Sequence, residues 1–122
     1  MTYFPNLQTL AVQYTAAQAD TLIVPASSTQ QLIATDITVT VGGAVTVNQV
    51  AVTIGFGTPS TPTGVGVLLR HSGIPPGQQA HRSGGGGIIG RGDFNEDLRI
   101  TCEAPTGGAL DVMVSYWVEE SI

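Results

Sequence analysis

The chain has 122 residues with a formal net charge of -5, and only 11% of them are charged, against about 25% in an ordinary domain. That length suits one domain, able to bury about two thirds of its unfolded surface without staples. Four arginines (Arg70, Arg82, Arg91, Arg99) and no lysine, in an acidic chain, cannot neutralise a phosphate backbone, so nucleic acid is excluded as an expected partner.

The start, MTYFPNLQTL, has neither a basic leader nor an apolar run of secretory length, and no stretch approaches the ~20 apolar residues of a membrane helix. A soluble chain made in a cytoplasm, with no membrane partner, is expected. Residues 1 to 9 read as an N-terminal arm carrying Tyr3, Phe4 and Pro5, and residues 10 to 122 as a single domain. Strands are expected at Gln8 to Tyr14 and at Asp20 to Val24, with the alanine-rich Ala11 to Ala19 as the one helical competitor.

From Ile33 to Ile54 the sequence is rich in valine, isoleucine and threonine, which suit a pleated half-buried surface. Ile37, Val39 and Val41 share a face opposite Thr38 and Thr40, and Gly42-Gly43 follows. A two-residue turn there leaves Val45 and Val47 on the wrong face; a three-residue turn corrects them but requires a bulge near Asn48-Gln49. The sequence is compatible with either. A further strand is expected at Val65 to His71, between loops at Gly55 to Gly64 and Ser72 to Gln79.

The run SGGGGIIGRGD at positions 83 to 93 holds two familiar strings. Gly85 to Gly90 satisfies G-x-G-x-x-G, but the glycines follow a polar loop (Gln78 to Ser83) and no helix comes after them, so there is no N-terminus to hold a pyrophosphate. Arg91-Gly92-Asp93 is an adhesion tripeptide; Arg91 and Asp93 read better as loop-capping or inter-subunit polar contacts. The following DFNED cluster reads as solvated loop charge, with a calcium or interface site as the sharper alternative.

At the C-terminal end Leu98, Ile100, Cys102 and Ala104 alternate with polar residues, as do Leu110, Val112, Val114, Tyr116 and Val118. With Pro105-Thr106-Gly107-Gly108 between them, residues 97 to 119 read as one antiparallel hairpin. Trp117 falls on the less buried side, covered by a loop or placed at an interface. Glu119 and Glu120 read as charges that keep a strand end soluble, as edge charges do. Cys102 reads as a buried, inert thiol. His71 and His81 have no zinc spacing. No catalytic set, metal site or cofactor emerges, and short strands with Gly/Pro turns imply an all-β antiparallel sandwich or barrel.

Asp97-Leu98-Arg99-Ile100-Thr101, Pro105-Thr106-Gly107-Gly108 and Val114-Ser115-Tyr116-Trp117-Val118 resemble the endings of a group of small phage structural proteins, and the likeness extends over about residues 10 to 120. The resemblance implies an antiparallel jelly-roll β-sandwich, similar to tumour-necrosis-factor-like folds, that forms a homotrimer and decorates a tailed-phage head as a cement protein. Its implied partners are the major capsid protein and further copies of itself. Neither a small-molecule substrate nor an enzyme activity is implied. Tyr3, Phe4, Pro5, Arg91, Asp93 and Trp117 are the candidate contacts with coat or subunit. The rival readings are a phage tail-tip or receptor-binding module, which would cluster aromatics and acids at one end, and a cupin-like enzyme, which would need more histidines.

Overall fold

The computed structural model describes residues 6–57 and 66–121; Tyr3, Phe4 and Pro5 of the expected arm lie outside the described residues. Among the described residues there are nine strands and no helix: β1 (Gln8–Tyr14), β2 (Gln18–Val24), β3 (Gln30–Val41), β4 (Val50–Phe56), β5 (Val67–Ile74), β6 (Gln79–Ser83), β7 (Gly90–Arg91), β8 (Leu98–Cys102) and β9 (Leu110–Glu120). The helical competitor over Ala11 to Ala19 does not form, because β1 runs through Tyr14 and β2 begins at Gln18.

Two antiparallel sheets result. The first has the order β1-β9-β3-β6, with the two-residue β7 also pairing β3; the second has the order β2-β8-β4-β5. With β7 set aside, the pairs nest: β1 with β9, β2 with β8, β3 with β6 and β4 with β5. A long antiparallel hairpin folded at the β4–β5 end and rolled around itself produces this order, which is that of a jelly-roll sandwich.

The inward rows of both sheets form one core. Ile37, Val39, Val41, Leu110, Val112 and Val114 from the first sheet meet Val50, Val52, Ile54, Leu98, Ile100 and Cys102 from the second. These are the rows that the two-residue period picks out, since alternate Cβ atoms leave a strand on opposite faces.

Pairing differs from the sequence reading in three places. Residues 97 to 119 are not a hairpin: β8 lies between β2 and β4 in the second sheet, β9 between β1 and β3 in the first. Pro105 to Gly108 does turn, with the Gly108 N–H donating to the Pro105 carbonyl at 3.0 Å, but the turn carries the chain from one sheet to the other. Nor does Gly42-Gly43 close a hairpin of either length, because β3 and β4 also lie in opposite sheets. The crossing after β3 instead lies against the crossing before β9: Gly42 N–H donates to the Ala109 carbonyl at 2.9 Å, and Thr46 N–H to the Thr106 carbonyl at 2.8 Å. Amides of the first crossing thus find carbonyl partners in the second, which holds the two connections together. Finally, the supposed polar loop from Gln78 to Ser83 contains β6, and β5 runs on to Ile74, leaving only residues 75–78 between them.

A bulge is present, at Thr35 in β3 rather than near Asn48-Gln49. The register with β9 shifts between Ala34 and Asp36, and the Thr35 hydroxyl donates to the Ser115 carbonyl at 3.1 Å. The extra residue reverses the phase of the strand. Leu32 and Ala34 face the core before it and Ile37 after it, while Ile33 is left on the outer face.

Candidate functional site

The outer face of the first sheet is built mostly from polar residues in register, two of them acids. One row holds Gln13, Asp111, Thr40 and Gln79, the next Ala11, Met113, Thr38 and His81, and a third Thr9, Ser115, Asp36 and Ser83. Cross-strand hydrogen bonds knit them: Gln13 Nε2 donates to Asp111 Oδ1 at 3.0 Å, Thr38 Oγ1 and His81 Nδ1 are hydrogen-bonded at 2.6 Å, and Thr9 and Ser115 hydroxyls lie 3.3 Å apart. A shallow groove of about 280 Å³ runs over Ala11, Gln13, Thr38, Thr40, Asp111 and Met113. Asp111 is its one acid and is engaged by Gln13, and Met113 is 52% exposed. Such a lining suits contact with protein rather than proton transfer.

Two expected site residues, Arg91 and Trp117, meet at one end of this face. The register places Ile33 opposite Trp117 on one side and opposite Arg91 on the other, so the three form a single row across β9, β3 and β7. Ile33 is fully excluded from solvent although it is no part of the inter-sheet core. Glu119 closes the group. Its carboxylate accepts from Arg91 Nη1 at 2.5 Å and from Trp117 Nε1 at 3.4 Å. The Arg91 hydrogen bond, then that of Trp117, hold the Glu119 carboxyl below the usual glutamate range. Glu119 and Glu120 do stand at the end of β9, an interior strand of its sheet, and Glu119 there also holds an arginine and an indole. Glu120 beside it accepts from Gln30 Nε2 at 2.7 Å.

Asp93 stands apart from that group, in the loop after β7. Its backbone N–H donates to Glu96 Oε1 at 2.8 Å, and Asn95 takes a positive φ of 66° with its N–H on the Ser27 carbonyl. Asp97 is also occupied, by the Ala26 N–H at 2.8 Å and by Arg99 at 2.7 Å. The DFNED acids thus shape a loop and anchor it to the chain before β3. Among the described residues no group of three His, Cys, Asp or Glu side chains could hold a metal.

The glycine run serves packing and turning. Gly85 and Gly86 have φ of 62° and 93°, a conformation that side chains with a Cβ rarely adopt. Gly92 is buried: a Cβ there would come within 2.9 Å of the Phe56 ring, and its N–H donates to the Leu32 carbonyl at 2.9 Å. Arg91-Gly92-Asp93 is accordingly stitched to β3 rather than presented as a free tip. No helix follows the glycines; β7 does.

Cys102 is buried in β8, and desolvation pushes its thiol pKa up, the opposite of what a nucleophile needs. His71 lies on β5 and His81 on β6. Sequence reasoning marked Trp117 through its parity but missed Ile33, because the bulge that turns it outward has no signature in the ATD tripeptide.

No family model matches the chain, and no curated protein matches it. Among solved structures it is similar to a chain in the acid-stable capsid of Helicobacter pylori bacteriophage KHP30, at 12% identity and a TM-score of 0.48, covering 95% of this chain and 98% of that one. It is similar to a chain in the capsid of Ralstonia phage GP4, at 9% identity and a TM-score of 0.48, covering 96% and 90%. It is also similar to a subunit of the disulfide-linked endospore appendages of Bacillus, at 15% identity and a TM-score of 0.44, covering 95% and 87%. Likenesses this remote leave function to be read from the residues themselves.

Proposed function

We propose that the chain is a virion structural protein that decorates and stabilises the outer surface of a bacteriophage capsid, as a trimer bridging subunits of the major capsid protein. The observation that carries this reading is the outer face of the first sheet, a broad surface of threonine, glutamine and serine with two acids, Asp36 and Asp111, ending in the Arg91–Glu119–Trp117 group. Aromatic residues and arginine are enriched in protein interfaces. The resemblance of the segments around Asp97-Leu98, Pro105-Thr106 and Tyr116-Trp117 to small phage structural proteins supplies the particle. In this reading the protein is made in the host cytoplasm and has no substrate, and Tyr3, Phe4 and Pro5 reach toward the coat. Multivalency stabilises the arrangement, because each further contact with the coat is effectively intramolecular once the first has formed.

Quantitative mass spectrometry of purified particles tests it. A copy number approaching that of the major capsid protein supports a capsid-covering role. A handful of copies per particle would move the protein to the tail or a vertex, and absence from particles would overturn the reading.

A further inference from the structure

Four strands end the two sheets, and three of them are protected against pairing with another chain. β2 carries Asp20, at a φ of 48°, and breaks register twice against β8. β5 carries Arg70 and His71 and breaks register twice against β4. β6 carries His81 and Arg82, and Arg82 Nη1 donates to the Leu68 carbonyl of β5, which ties that edge to the other sheet. Charges, bulges and coverage are the ordinary means by which edges are blunted.

β1 has none of them. Its seven residues, QTLAVQY, include no charge, no proline and no glycine, and all seven stay in register with β9 from Gln8 opposite Tyr116 to Tyr14 opposite Leu110. Among the described residues its backbone pairs with no strand but β9. The alternate amides and carbonyls that point away from β9 are therefore an open template. Apolar surface flanks it: Leu7 is 55% exposed and Met113 52%, while Leu10 and Val12 are only partly buried against the core.

We propose that β1 pairs antiparallel with β1 of a second copy across a twofold axis, joining the first sheets of two copies into one continuous sheet. Charge complementarity selects this occupant, since a neutral edge accepts a neutral strand and a charged one would leave its charge without a partner. Centred on Ala11, the pairing sets Leu10 against Val12 on the core side, Thr9 against Gln13 on the outer side and Gln8 against Tyr14, with no like charges opposed. Half-buried Leu10 and Val12 complete their burial. Such an isologous contact cannot close a threefold ring, so on a capsid it would link neighbouring trimers. It does not rest on the capsid reading.

Hydrogen exchange of the β1 amides, followed as a function of protein concentration, tests the contact in solution. The outward-pointing amides of the parent should slow by roughly tenfold or more as concentration rises. In Ala11→Lys, which sets two lysines directly opposite one another at the axis with Cβ atoms about 5 Å apart, they should stay fast while the melting temperature at low concentration, where both proteins are monomeric, is unchanged. In parallel, Ala11→Cys should cross-link to a dimer under mild oxidation in the same concentration range. Amides that stay fast at every concentration, with no cross-linking, would overturn the proposal. So would protection that is independent of concentration and survives in Ala11→Lys, which would place another segment on the edge. Particle copy number, measured separately, bears on the capsid reading alone.

Discussion

The two sheets share a core but are built differently. The first has strands of 12 and 11 residues at its centre and one register shift, at Thr35. The second has no strand longer than eight residues, and shifts register twice between β2 and β8 and twice between β4 and β5. Their outer faces differ accordingly. The first presents rows of threonine, glutamine and serine with the acids Asp36 and Asp111 among them; the second presents Arg70, Arg99 and Glu103 around Thr53 and Thr101. Breaks in register twist a sheet and blunt its edges, so the long, regular sheet is the one equipped to extend into a neighbour. In the proposed reading the second sheet closes the sandwich and the first meets other protein.

The largest effects should ignore this difference, because the core belongs to both sheets. Val114→Asp in the first and Ile100→Asp in the second each put a carboxylate at a fully buried position, at a cost of at least about 4 kcal/mol. Both should fail to give a cooperative melt, and a normal melt of either would break the inward-row assignment. Next come close approaches within the second sheet. A Cβ on Gly55 would meet the Gly66 carbonyl oxygen at 2.4 Å, so Gly55→Ala should cost roughly 1–3 kcal/mol, read by denaturant midpoint.

Ile33→Ala sharpens the comparison on the outer side. It removes a buried side chain that lies outside the shared core, for roughly 2 kcal/mol, and should free the Trp117 indole, seen as a red shift and greater quenching of its fluorescence. An unaltered indole would separate Trp117 from Ile33. The two ion pairs then rank by burial. Arg99, half-buried on the second sheet, also donates to the Asp20 carbonyl at 2.9 Å, and Arg99→Ala should cost about 1 kcal/mol. Arg91→Ala should lower the melting temperature less, since its pair with Glu119 is exposed and screened.

The smallest effects are in pH. Glu119 has a lowered pKa in the folded state, so its contribution to stability is present above the ordinary glutamate value of 4.5 and is lost as pH falls through the lowered value. The indole N–H resonance of Trp117 should therefore titrate with a midpoint below 4.5, and in Arg91→Ala that midpoint should move up. Cys102 has a raised pKa, so the folded state keeps its proton while the unfolded thiol ionises near 9.0. Stability should fall slightly above that pH, and a disulfide reagent should react slowly until the chain unfolds.

Parts of the candidate site were legible in the chain. Trp117 was marked by its odd parity in an alternating strand, and Arg91 by the Arg91-Gly92-Asp93 string, where it read as a loop-capping or inter-subunit polar contact. Their meeting was not, because it needs the bulge at Thr35, the two-residue β7 and the insertion of β9 between β1 and β3. The pairing of Glu119 with Arg91 and Trp117 was hidden for the same reason: a charge at a strand end reads alike whether it meets solvent or a partner from another strand.

The two-residue period by itself marked an all-β antiparallel sandwich or barrel and most of the side chains that enter its core, because side-chain direction along a strand is a local property of each Cα. Only the tertiary structure decided which strands pair. Successive strands with apolar inner rows can lie side by side or face one another across the core, and the rows bury equally well either way. Competition among long-range ladders settled the choice in favour of nested pairs, carrying β8 and β9 into opposite sheets and leaving β1 as the one unprotected edge among the described strands.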